Sequence, residues 1–174
     1  LQAPVTFFRS GKGVIDDRHY LSQSFPAGHR LWADADVVLA IGTRLKYQQM
    51  YWGLDQNLKI VRIDIDPTEI NRISTPEIGI VADARIALQA LLSALDRHNS
   101  PRTSRKQELT NLKAEFQATF EEKIAPQMGY LRVIREELPE DGFFVDEVTQ
   151  VGFASWYAFP TYHPRHFISA GYQG

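Results

Sequence analysis

"DVVLAIGTRL", residues 36–45, is an apolar run stopped by glycine, and its reading decides the fold. An uninterrupted stretch of Val, Leu, Ala and Ile ended by Gly42 is the pattern of a strand buried on both faces of a parallel sheet. Downstream, "KIVRIDID" (residues 59–66) begins apolar and then alternates. Val61, Ile63 and Ile65 fall on one face, Arg62, Asp64 and Asp66 on the other. "DPTEIN" then opens a helix: Asp66 caps it, Pro67 suits its first position, and Glu69 favours its positive end. "EIGIVAD" (77–83) reads as a further strand. "DARIALQALLSAL" (83–95) reads as a helix capped by Asp83, with Ile86, Ala90, Leu91, Ala94 and Leu95 as its buried stripe. Upstream, "PVTFF" (4–8) is a short strand running into the loop "RSGKG". Strands alternating with helices predict an α/β fold, a doubly wound parallel sheet with flanking helices, over residues 1–96.

"DRHNSPRTS" (96–104) is polar, holds Pro101 and has no apolar period, so it reads as a linker. A helix follows from Arg105 to Ile124, with Leu109, Leu112, Phe116, Phe120 and Ile124 at spacings of three and four. After Pro126, "MGYLRVIREEL" forms a second amphipathic helix through Leu131, Ile134 and Leu138. "FFV" and "RHFI" read as strands on either side of a loop and helix in "DEVTQVGFASWYAF", and "SAGYQG" closes the chain as a glycine-spaced loop. Helix, strand, helix, strand and loop from Met128 onward bury little core by themselves. The expected division is 1–96 as a nucleotide-binding-like α/β domain, 97–127 as linker and connecting helix, and 128–174 as an incomplete second α/β unit. A start at "LQAP" without Met, and an end where a site should begin, read as a fragment.

Composition narrows the function classes. The 174 residues are 44% hydrophobic and 23% charged, an ordinary globular balance. Nineteen Lys and Arg against twenty-one Asp and Glu leave a formal charge of −2, so no basic field draws nucleic acid or an anionic membrane. With no cysteine, disulfides, thiolate catalysis and cysteine zinc sites are excluded, in keeping with a cytoplasmic protein. No apolar run approaches the roughly 20 residues a membrane span needs.

Gly42 and Asp64 stand 22 positions apart at the ends of successive strands, a geometry in which a loop meets phosphate and a carboxylate meets ribose hydroxyls. The GxGxxG fingerprint is absent, and "SGKG" is not a Walker loop because Gly13 follows Lys12. Gly42 therefore reads either as a phosphate loop or as a turn, Asp64 as a ribose ligand or a solvated carboxylate, and Arg44 as a partner of phosphate or of Asp64. His163 and His166 have metal-like spacing but no third ligand nearby, so no metal ligands are assigned. The aromatics Phe153, Trp156, Tyr157, Phe159 and Tyr162 read as core or subunit interface. No catalytic Ser/His/Asp arrangement is present.

In order, "PVTFFRSGKG", "DVVLAIGTRL", "KIVRIDIDPTEINR" and "IVADARIALQALL" resemble the middle domain of the thiamine-diphosphate-dependent acetolactate-synthase-like enzymes. "YLRVIREELPEDGFFVDEVTQ" and "FISAGYQG" resemble the opening of their C-terminal, diphosphate-binding domain. The resemblance implies thiamine diphosphate and Mg²⁺ as cofactors of the intact enzyme, a small 2-oxo acid as substrate, carboligation or decarboxylation as the reaction, and a homo-oligomer, dimer or tetramer. It implies that the fragment alone is inactive. Glu147, Thr149 and Gln150 match the family's Asp-x-Gly-Gln beside the diphosphate, Thr149 standing where glycine is usual. Gly171, Tyr172, Gln173 and Gly174 match the loop that meets the aminopyrimidine and diphosphate. Gly42, Arg44, Asp64 and Asp83 match positions where some members hold FAD or an ADP group. Against FAD stands the segment "LSQSFPAGHRLWADA", shorter than in the family's FAD binders. A non-catalytic nucleotide-binding module and a purely architectural domain are the alternatives.

Overall fold

The computed structural model describes residues 1–170. They form parallel sheets flanked by helices, a mixed α/β fold. In chain order, β1 (Val5–Thr6) and β2 (Ser22–Gln23) pair in parallel, and α1 (Phe25–Trp32) follows. Next come β3 (Val37–Ile41), a π-helical turn at Gln48–Trp52, β4 (Lys59–Asp64), α2 (Pro67–Ile70), β5 (Ile78–Val81) and α3 (Ala84–His98). The remainder is α4 (Lys106–Lys123), α5 (Ala125–Glu137), β6 (Phe144–Asp146), α6 (Gln150–Ala158) and β7 (Phe167–Ser169).

Two compact units divide the chain. One is residues 29–101, where β3, β4 and β5 form a parallel sheet in that order. Val37 pairs with Lys59 and Ile41 with Ile63, while Val61 pairs with Ile78 and Asp64 with Val81. Ala40, Leu45 and Ile60 are its buried centre, with Trp32, Val38 and Leu58 packed against them. The two-sided burial expected of "DVVLAIG" is not found. Val37 and Leu39 are 52% and 39% exposed. The cause is coverage: a strand's face is buried only by what packs across the sheet, and α3 packs on β4, leaving Val37 and Leu39 uncovered. The expected stripe of α3 is only partly covered. Ile86 and Ala90 are exposed, and Leu91, Ala94 and Leu95 are half-buried.

The other unit joins residues 1–28 to those from 102 onward, a grouping that does not follow the sequence order of the expected division. Among the described residues β1 pairs only with β2. The buried Gln23 side chain donates to the Leu109 carbonyl of α4 at 3.0 Å, and Lys113 Nζ donates to the carbonyl oxygens of Asp17 and His19 at 2.7 and 2.9 Å. The core lies between α5, α6 and the β6–β7 pair. Met128, Leu131, Ala154 and Phe159 close over Phe144 and Phe167, whose rings stack at 5.4 Å. Burial of each large apolar side chain contributes about 1.5–3 kcal/mol. The expected strand "PVTFF" shortens to Val5–Thr6, and Pro126 lies in the first turn of α5, where its missing N–H costs nothing. Among the described residues no helix is long and apolar enough to cross a membrane.

Candidate functional site

Parallel pairing puts the C-terminal ends of β3, β4 and β5 on one edge, and Gly42, Asp64 and Asp83 stand there together. Gly42 N–H donates to Ile63 O at 2.9 Å, and Ala82 N–H donates to Asp64 O at 3.0 Å. Gly42 has φ +56° with nothing near the place a Cβ would take, so glycine serves the turn and no close approach requires it. The carboxylates at this edge are employed locally. Asp64 Oδ1 accepts from Asp66 N at 3.0 Å. Asp66 caps α2, accepting from Thr68 N and Oγ1, both at 2.8 Å. These Thr68 donors hold the Asp66 carboxyl below its ordinary value. Asp83 caps α3, its Oδ1 accepting from Arg85 N and Ile86 N at 2.9 and 3.1 Å.

Arg44 takes neither partner weighed for it. Its Nε lies 3.4 Å from Glu69 Oε1, a buried carboxylate that also binds Arg72. Arg62 is a residue that sequence reasoning missed. It is 1% exposed and donates to Thr43 O at 2.8 Å and Ile70 O at 3.1 Å, tying the loop that carries Arg44 to the end of α2. Alternation had placed it on a polar face, and the only signal was a cation within an apolar strand.

A second edge lies where β6 and β7 end. Phe144, Val145 and Asp146 pair with Phe167, Ile168 and Ser169. The exposed residues Glu147, Thr149 and Gln150 follow β6 directly. Thr149 is the N-cap of α6, its Oγ1 accepting from Gly152 N at 2.9 Å. Its φ of −135° is extended backbone open to any residue, so threonine is unstrained there. A Cβ on Gly152 would lie 1.9 Å from Glu147 O, so the turn closes too tightly for any side chain there. Gln150 Oε1 accepts from Gln127 Nε2 on α5 at 2.8 Å, and Glu147 Oε1 accepts from Val148 N at 2.7 Å. Gly171, Tyr172, Gln173 and Gly174 lie outside the described residues.

Asp146 was also missed. It is 5% exposed and accepts from Trp156 Nε1, from Ser169 Oγ at 3.1 Å and from Ala170 N at 2.9 Å. The signal was an acidic residue ending an apolar strand. Of the aromatics, Phe159 is core, Trp156 serves Asp146, and Phe153 is 43% exposed. The rings of His163 and His166 lie 5.2 Å apart, and among the described residues no three His, Asp or Glu side chains are grouped to hold a metal. An open depression of about 370 Å³ lined by Arg18, His19, Tyr20, Lys106, Thr110 and Lys113 contains none of the candidate residues. Two of its cations are already engaged, Arg18 by Asp16 and Lys113 by two carbonyls.

Residues 1–91 match the family model described as thiamine pyrophosphate enzyme, central domain. The chain belongs to that family. Among curated proteins it is 30% identical over 97% of its length to a probable 2-ketoarginine decarboxylase of Pseudomonas aeruginosa, covering 31% of that relative. It is 33% identical to acetolactate synthase 1, chloroplastic, of Oryza sativa subsp. japonica over 78% of the chain and 22% of the relative. To the acetolactate synthase isozyme 1 large subunit of Escherichia coli K12 it is 24% identical, over 98% of the chain and 32% of the relative. The chain thus spans about a fifth to a third of the length of these relatives.

Proposed function

We propose that this chain is part of a thiamine-diphosphate-dependent enzyme acting on 2-oxo acids, an acetolactate-synthase-like carboligase or a decarboxylase. The observation that carries the reading is the family membership of residues 1–91, and the relatives' names supply the two reaction types. Residues 1–96 are then the middle domain, 97–127 the link, and 128–174 the start of the diphosphate-binding domain.

The β6–β7 edge fits an anionic group in kind. The first turn of α6 presents backbone N–H groups and its positive dipole end there, and the turn before it is closed by Gly152. Glu147, Thr149 and Gln150 would stand beside the diphosphate, and Gly171, Tyr172, Gln173 and Gly174 are proposed as further contacts. Thiamine diphosphate, with Mg²⁺, when bound supplies a carbanion for the carbonyl of the 2-oxo acid and a sink for the electrons released as CO₂ leaves. The chain's own part is to hold that edge in place. Thr149 fixes the first turn of α6, and the bond between Gln127 and Gln150 ties it to α5. A homo-oligomer, dimer or tetramer, is the proposed assembly.

For residues 29–101 a second reading has its own support. Asp64 and Asp83 bind local backbone and Arg44 pairs with Glu69, which favours an architectural role over an FAD or ADP site at Gly42, Arg44, Asp64 and Asp83. The test uses the full-length protein with thiamine diphosphate, Mg²⁺ and a panel of 2-oxo acids, reading CO₂ release and product. Turnover that requires thiamine diphosphate is expected. Absence of thiamine diphosphate binding by calorimetry, with FAD or ADP bound instead, would overturn the reading. The 174-residue chain alone is expected to turn over no pyruvate, since it spans about a third of the length of the decarboxylase relative.

A further inference from the structure

We propose that the outer edge of β3, with the apolar face beside it, receives a further parallel strand and its crossover helix from the rest of the intact protein. This rests on the reading above, in which the chain is part of a longer enzyme. Two deficits meet at β3. The first is in the backbone. Gly42 N–H donates to Ile63 O and Asp36 O accepts from Lys59 N, both at 2.9 Å, so alternate residues of β3 turn their N–H and C=O groups towards β4. Those of Val37, Leu39 and Ile41 point the other way, and among the described residues β3 has no second neighbour there. The second deficit is in the side chains. Leu39 lies beside Val61, while Ile78 and Ile80 lie beside Val61 and Ile63, so these residues share one face with Val37. Val37 and Ile78 are 52% exposed, Leu39 and Ile80 39%. The opposite face is closed over Ala40 and Ile60.

The occupant follows from both deficits together. An all-parallel sheet is covered on both faces, because each crossover between its strands lays a helix across it. A parallel strand added beside β3 needs such a crossover, so one strand-and-helix unit pairs the edge and covers Val37 and Leu39 at once. A second copy of this chain meets only half of the need. Twofold pairing of β3 with itself is antiparallel and extends the apolar face instead of covering it. A face-to-face dimer covers the side chains and leaves the edge groups unpaired. A strand with its crossover occupies roughly 30 residues. This chain covers 31% of the decarboxylase relative, so a protein of that length has ample room for the unit.

The experiment follows hydrogen exchange in the full-length protein over the peptide spanning residues 36–42, at several protein concentrations. The amides of Val37, Leu39 and Ile41 are expected to exchange as slowly as those bonded to β4, at every concentration. Fast exchange of these three would overturn the proposal. Slow exchange that is lost on dilution would assign the edge to a second copy and overturn it equally. Tm supplies the side-chain half of the test. Leu39→Lys is expected to lower the Tm of the full-length protein by at least about 2 °C. Val133→Lys, at a residue 59% exposed on α5, is expected to leave it unchanged. An equal, negligible effect of both would show that the face stays in water and overturn the covering helix. If the Leu39 variant does not fold, exchange in the wild type still decides. A gene product no longer than 174 residues is a different failure, which overturns the functional reading first and this pairing with it.

Discussion

Gly129 and Gly152 both lie within helices, α5 and α6, of the same compact unit, yet alanine should act on them with opposite sign. Helix propensity alone favours alanine at both by roughly 0.5–1 kcal/mol. At Gly129 nothing lies within 4 Å of the added Cβ, so that gain should appear in full. At Gly152 the Cβ would fall 1.9 Å from the carbonyl oxygen of Glu147, a separation shorter by more than 1 Å than real Cβ atoms tolerate. The obstacle is backbone, so either the 147–149 turn opens or the first turn of α6 shifts. Overpacking of this kind costs about 1–3 kcal/mol. Loss of the Thr149 cap, whose Oγ1 accepts from Gly152 N at 2.9 Å, adds about 1 kcal/mol. The net expectation is a loss of about 1–3.5 kcal/mol for Gly152→Ala and a gain of up to about 1 kcal/mol for Gly129→Ala. Urea unfolding followed by circular dichroism measures both in one series. A Gly152→Ala variant at least as stable as wild type would refute the close turn at residues 147–152, and with it the geometry assigned to the β6–β7 edge.

Lys12 is 3% exposed, with Nζ 3.8 Å from Asp17 Oδ2 and 5.4 Å from the ring centres of Phe7 and Phe167. Burial pushes its ammonium below the ordinary value of 10.5, opposed by Asp17. The unfolded chain then holds the Lys12 proton more tightly than the folded one. Stability contributed by this residue therefore rises with pH from the folded value up to about 10.5. Wild type should gain on Lys12→Met between neutral pH and pH 10 in urea unfolding, and a difference independent of pH would contradict the burial. Asp83→Ala should destabilise residues 29–101 by about 1 kcal/mol, with Asp83→Ser largely retaining the cap. In the full-length protein, Arg44→Ala and Asp64→Ala should leave FAD and ADP binding unchanged if this edge is architectural, and a clear loss of affinity would establish a nucleotide site.

The elements of this protein are legible from local chemistry. Apolar runs ended by Gly42 and Asp64 are β3 and β4, and three- and four-residue spacing marks α4 and α5. Asp66 and Asp83 stand as the caps their positions suggest, because a cap depends on residues two or three places away. The order of these motifs also carried the family, since such runs in sequence are far more specific than any one of them. Tertiary structure alone decided what the polar side chains do. Arg62 sits in an alternating strand, and only folding brings Thr43 O, 19 residues away, to its guanidinium. Asp146 draws donors from 10, 23 and 24 residues away, which no period of two or of 3.6 encodes. Exposure of Val37 and Leu39 likewise follows from what packs across their face of the sheet, which β3's own residues do not carry. Periodicity reports neighbours along the chain, whereas buried polar partners and the burial of a strand's second face are set by which distant segments the fold brings together.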